Sequence, residues 1–183
     1  MKKLLFGILA LSICATACKK DKDETPSDLD KAQVVATWKI SSDPAVNINI
    51  VGGGEMKNKI VDTLEYLFKK DDVYLFKDDN KVEVTRNGNK APFPNQYSLD
   101  KQYLVFDGFI KVAGAVNGNT FKLVAGNDEI RFTVKTMILA KKDAYYTYFS
   151  TLGVTTPDDL TEAFLDEAMI AVTGSLEITL TKQ

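Results

Sequence analysis

Histidine is absent from the 183 residues. That omission removes the Ser-His-Asp and Cys-His nucleophilic arrangements and every histidine-based zinc site, because each depends on an imidazole as base or ligand. Cysteine is nearly absent, with Cys14 and Cys18 the two present, both close to the N-terminus. A disulfide between later segments of the chain is excluded, and stability must come from an apolar core. Arginine occurs only as Arg86 and Arg131, and tryptophan only as Trp38. No basic cluster recruits nucleic acid, since Lys plus Arg number 23 against 25 Asp plus Glu. Carboxylate-pair chemistry survives these absences, because a glycosidase needs only two acids at a suitable separation. No motif sorts the 25 candidates, so no catalytic residue, metal ligand or cofactor is assigned and an enzyme is the third-ranked reading.

What is present begins with a targeting signal. Lys2 and Lys3 precede an apolar run from Leu4 to Ile13, which has the length of a signal-peptide core. It is far short of the roughly 20 residues that span a bilayer. The run ends in Cys14, Ala15, Thr16, Ala17 and Cys18, which resembles the lipobox of bacterial lipoproteins, with Ala15 where Leu is usual. Ala15 and Ala17 also fit the A-x-A pattern of ordinary signal peptidase, and both readings cut before Cys18. Residues 1–17 are therefore expected to be a signal peptide, Cys18 the lipid attachment site, and the membrane a partner through that lipid. Residues 18–33 read as a solvated tether, because Lys19 to Asp28 is too polar to bury anything. A short charged run behind the lipid cysteine resembles the signal that sends Bacteroidota lipoproteins to the outer face of the outer membrane; the plainer alternative is a spacer. The expected address is the outer membrane, at the cell surface or else in the periplasmic leaflet. Loss of residues 1–17 would leave 21 Lys plus Arg against 25 Asp plus Glu, a net charge of −4.

Residues 34–183 are expected to form a single domain. Val34, Ala36, Trp38 and Ile40 alternate with polar neighbours, which predicts a half-buried strand with Trp38 as a structural core residue. Val46, Ile48 and Ile50 repeat the pattern, and Gly52 to Gly54 then read as a turn, no G-K-[ST] following to make them a phosphate cradle. Ile60, Leu64, Tyr66 and Phe68 keep one alternating face and are expected to be a strand. Val73 to Phe76 and Val82 to Val84 predict a hairpin around Asp78, Asp79 and Asn80. Asp71, Asp72, Asp78 and Asp79 lack the spacing of a calcium loop and are expected to be solvated turn residues.

Asn87-Gly88, Asn117-Gly118 and Gly126-Asn127-Asp128 are turn signals. They punctuate expected strands at 96–99, 103–106, 109–116, 120–124 and 130–139, giving about ten short strands in series, an antiparallel up-and-down meander. The period changes after Lys142. Asp143 caps one expected helix, with Tyr145, Tyr148, Phe149 and Leu152 on a face and Gly153 at its end. Thr156 and Pro157 start a second, with Leu160, Ala163, Phe164 and Ala168 on a face and Gly174 closing it. Residues 143–174 thus form a helical insertion before a final strand of Leu176, Ile178 and Leu180.

Three places resemble the lipocalin-like lipoproteins of Bacteroidota: Ala36-Thr37-Trp38-Lys39-Ile40, Lys70 to Phe76, and Tyr97 to Asp100 with Leu104 to Asp107. The resemblance implies a mainly β, lipocalin-like barrel, or its open or sandwich-like form, that binds a small apolar or amphipathic ligand. Typical lipocalins set an arginine of the last strand over the tryptophan, and neither Arg86 nor Arg131 lies on that strand. The rival reading is a surface interaction protein that contacts a glycan or another envelope protein, its β core filled by side chains. Trp38, Tyr66, Phe68, Tyr74, Phe76 and Phe106 either line a cavity or plug one. The two helices form either a lid, with Tyr146 or Tyr148 reaching a bound molecule, or a cover for the sheet and nothing more.

Overall fold

A computed structural model of the protein describes residues 28–50 and 54–183. Cys18, the apolar run before it, and Gly52 and Gly53 lie outside the described residues. Packing onto the domain is already present at Leu29, ahead of Val34. The Leu29 backbone N–H donates to the Lys101 carbonyl at 2.8 Å, and its side chain covers Gly114, where a Cβ would lie 2.9 Å from Leu29 Cδ1. The short helix α1 (Lys31–Val34) follows, with the Asp30 carboxylate accepting from the Ala32 N–H. The tether expected over residues 18–33 is therefore shorter, because Leu29 gives its last part something apolar to bury.

Strands β1 (Thr37–Ile40) and β2 (Ala45–Asn49) follow their alternation, with Trp38, Ile40 and Ile48 buried and Asn47 and Asn49 exposed. Residues 60–68 are not the strand expected. They belong to helix α2 (Gly54–Leu67), which buries Met56, Ile60, Leu64 and Leu67. Ile60 and Leu64 are four apart, a spacing both periods satisfy; the helix is decided by Leu67, buried, and Tyr66, 45 % exposed, the reverse of the strand pattern.

The hairpin of β3 (Val73–Phe76) and β4 (Val82–Arg86) forms as its alternation predicts, and Asn87-Gly88 turns the chain into β5 (Asn89–Lys90) with φ of 50° and 78°. After β6 (Tyr97–Asp100), β7 (Tyr103–Phe106), β8 (Ile110–Asn117) and β9 (Thr120–Ala125), the strand expected at 130–139 is also a helix, α3 (Asn127–Ala140). Ile130, Val134, Met137 and Ile138 are buried at i, i+4, i+7 and i+8. Gly126-Asn127-Asp128 is thus a helix start rather than a strand turn, with the Glu129 carboxylate accepting from the Gly126 N–H at 2.9 Å.

The segment before the last strand is helical but broken into short pieces. Helix α4 (Lys142–Tyr145) runs into a 3₁₀ stretch, Tyr146–Leu152, which stops at Gly153 with φ 90°. A 3₁₀ turn at Pro157–Asp159 precedes α5 (Glu162–Ala168), whose cap is Thr161 rather than Thr156. Gly174 does not close this helix; it lies in β10 (Thr173–Lys182), where a Cβ would sit 2.5 Å from the Asn47 carbonyl.

Among the described residues ten strands make one antiparallel sheet, ordered β5-β4-β3-β1-β10-β9-β8-β7-β6, with β2 beside β1 along β10. Between β1 and β2, residues 41–44 stand opposite Ile178 and Thr179, a bulge that separates the two strands along β10. The sheet curls without closing into a barrel: its two sides meet at the single bridge Lys81–Gln96, with Tyr97 N–H donating to the Asn80 carbonyl at 2.8 Å. The buried residues of the strands share one face. Trp38 packs on Phe121 with ring centroids 5.3 Å apart, Phe76 on Tyr97 at 5.1 Å, and Phe68 on Phe106 at 5.6 Å. The curl is therefore filled by its own aromatics, while α3 packs on β8 and β10 at one end of the sheet.

Candidate functional site

The site is built from two helix ends and two turns. Asp107-Gly108 is a tight turn, with φ of 45° and 80°, and it delivers Phe109 to the rim between β7 and β8. The Asp107 carboxylate then accepts from the N–H groups of Asn95 at 3.1 Å and Gln96 at 2.8 Å. These bonds pin the preceding loop so that Phe93 stacks on Phe109, with centroids 5.3 Å apart and planes at 11°. Helix α3 holds the same rim through Thr136, whose hydroxyl is shared between the Phe132 carbonyl of its own helix at 2.8 Å and the Phe109 carbonyl at 3.0 Å, and Thr133, whose hydroxyl accepts from the Lys111 N–H at 3.2 Å.

Opposite stands the last turn of α2, fixed by a buried ion pair. Asp72 is 1 % exposed and accepts from Arg86 Nε at 2.8 Å and Nη2 at 2.5 Å, and from the Lys69 N–H at 3.2 Å. The expectation that Asp72 is a solvated turn residue is corrected by this pair; Asp71, its neighbour, is exposed and bridges Lys39 at 2.7 Å. Arg86 Nη2 also donates to the Tyr66 carbonyl at 2.5 Å, and the Tyr74 hydroxyl donates to the Leu67 carbonyl. Burial, with the Asp72 charge beside it, pushes the Tyr74 phenol far above its ordinary range, so it stays a donor. The hydrogen bond to Asp72 likewise raises Arg86 and keeps the guanidinium charged. Two orphan carbonyls at the end of α2 are thereby satisfied.

Between these walls lies a cleft of about 410 Å³, lined by Thr63, Tyr66 and Leu67 of α2, by Phe93 and Phe109, and by Met137, Ala140 and Lys141. The volume and apolar lining are those of a small-molecule seat. The Thr63 hydroxyl is spent on the Lys59 carbonyl at 2.7 Å. Lys141 is exposed and takes no part in the ion pairs formed among the described residues. The Arg86 guanidinium lies 4.8 Å and the Lys69 ammonium 5.7 Å from the Tyr66 ring. The lining holds no carboxylate or thiol, so the cleft can bind and orient but offers no acid–base pair.

Of the residues singled out from sequence, Trp38 is fully buried and donates its indole N–H to the Val34 carbonyl at 2.9 Å. Phe68, Tyr74, Phe76 and Phe106 are buried with it, whereas Tyr66 lies apart on the cleft wall. Tyr146 and Tyr148 are half-buried against the core and do not line the cleft. Cys18 lies outside the described residues. The Asp107-Gly108 dipeptide between alternating runs was the signal available for Phe109; nothing local marks Thr63, Met137 or Lys141, which only the fold brings together. Among the described residues no helix is long and apolar enough to cross a membrane, and no group of three His, Cys, Asp or Glu side chains is placed to hold a metal ion. Compared with protein-family models, curated proteins and solved structures, the chain matches none.

Proposed function

We propose that this is an exported, lipid-anchored protein of the cell envelope, and that its β domain binds a small apolar or amphipathic ligand in the cleft between α2 and α3. The observation that carries the binding half is the cleft itself: about 410 Å³, apolar, and held open by a loop and a helix end that hydrogen bonds fix in advance. The seat is the mouth rather than the interior, which aromatic side chains fill. The anchoring half rests on the apolar run and on Cys18 behind Ala15-Thr16-Ala17. The likeness to lipocalin-like lipoproteins gains support from Lys182 of the last strand, whose ammonium lies 5.9 Å over Trp38, where that resemblance expects an arginine.

Two measurements test the two halves. Titrating the neutral probe N-phenyl-1-naphthylamine should give saturable fluorescence enhancement with wild type and little with Ala140→Trp, which fills the cleft from an exposed helix position. Equal enhancement by both would remove the cleft from consideration. Palmitate labelling should mark wild type and not Cys18→Ser; equal labelling would refute the anchor. The second reading, an interaction protein contacting a glycan or an envelope protein, is favoured by the filled interior, and it is the one left standing if the probe does not bind.

A further inference from the structure

We infer that the ligand of this cleft is an anionic amphiphile, one aliphatic chain or small ring carrying a single carboxylate head, and that Lys141 holds the head; this rests on the cleft being the ligand seat. The chemistry of the lining decides the class. Its polar groups are the Thr63 hydroxyl, already donating to the Lys59 carbonyl at 2.7 Å, the Tyr66 phenol and the Lys141 ammonium. A sugar ring needs several directed donors and acceptors, and this wall offers too few. A neutral lipid suits the apolar surface but leaves the ammonium without a role.

Charge selects further. Lys141 is the one charged side chain in the cleft lining, and it takes no part in the ion pairs among the described residues. Across the cleft the Lys69 ammonium lies 5.7 Å from the Tyr66 ring, while the Arg86 charge is offset by Asp72. Helix C-termini repel anions, and both α2 and α3 end at this cleft. The Tyr66 and Leu67 carbonyls of α2 are taken by Arg86 and the Tyr74 hydroxyl, and at α3 the Ile138 carbonyl is taken by the N–H of Lys141, the cation that would hold the head. A cationic amphiphile would meet Lys141 in a lining that holds no carboxylate.

The test is displacement of N-phenyl-1-naphthylamine from the full chain carrying Cys18→Ser, which removes the lipid attachment and leaves every described residue unchanged. Decanoate, decanol and decyltrimethylammonium share one chain and differ in head. Decanoate should displace the probe at about tenfold lower concentration than decanol, with decyltrimethylammonium weakest, a preference of the size expected for one charge-assisted bond. With displacement referred to each chain's own probe affinity, Lys141→Met should lose the difference between decanoate and decanol. Equal displacement by the two in the parent chain, or a preference that persists in Lys141→Met, would overturn the anionic head while leaving the cleft as the seat. Probe binding that Ala140→Trp does not reduce would overturn both.

Discussion

At Asp72 a carboxylate that the run Lys70-Asp71-Asp72 suggests is solvated is instead buried, and Arg86 is what makes that tolerable. Sequence gives no hint of the pair, because the two residues are fourteen apart, Asp72 just before β3 and Arg86 at the end of β4. Replacing Arg86 with Met leaves the Asp72 carboxylate with the Lys69 N–H alone and should cost roughly 3–5 kcal/mol, toward the low end because the Arg86 side chain keeps some water contact. The double variant Asp72→Leu/Arg86→Met should recover part of that loss in denaturant unfolding. If Arg86→Met alone unfolds like wild type, the pair does not hold α2. Trp38 poses the opposite case, an apolar residue whose burial was legible from its alternating neighbours. Trp38→Ala removes its contact with Phe121 and its bond to the Val34 carbonyl, and should destabilise by roughly 3–5 kcal/mol. It should leave probe binding at the cleft intact in the folded fraction, because Trp38 does not line the cleft.

At the scale of elements, the hairpins were readable and the two long helices were not. Val82 to Val84 and Tyr97 to Leu99 alternate so strictly that only a strand buries one face. In 60–68 and 130–139 apolar residues recur every four positions, which satisfies a strand and a helix equally, and the deciding residues are the ones left out of the alternation, Leu67 and Met137. The break between α4 and α5 follows from a turn competing with a helix. The Asp159 carboxylate accepts from the N–H groups of Thr155 and Thr156 at 2.8 Å and from the Thr155 hydroxyl at 3.0 Å, and these bonds hold its pKa below the usual carboxylate range. A lowered folded-state pKa means stabilisation that is complete above the ordinary value and fades as the pH falls through the folded one. Asp159→Asn should therefore melt lower than wild type at neutral pH, with the gap narrowing as the pH falls below the ordinary aspartate range and the wild-type carboxylate protonates. A gap that stays constant across that range would show that the charge plays no part.

For the whole molecule, curl and helices divide the labour. The sheet fills its own concavity with aromatics, and the helices at one end leave an apolar cleft where α2 and α3 stop short of each other. The cleft was not visible along the chain, because Thr63, Phe93, Phe109, Met137 and Lys141 become neighbours only through the topology. Amide chemical-shift mapping of the full chain carrying Cys18→Ser, titrated with decanoate, tests the account most directly. Shifts should gather at residues 63–67, 93–96, 107–109 and 137–141, with the interior positions Phe76, Phe121 and Leu123 unmoved. Shifts spread through those interior strands, or no saturable shift at all, would contradict a ligand seat at the mouth.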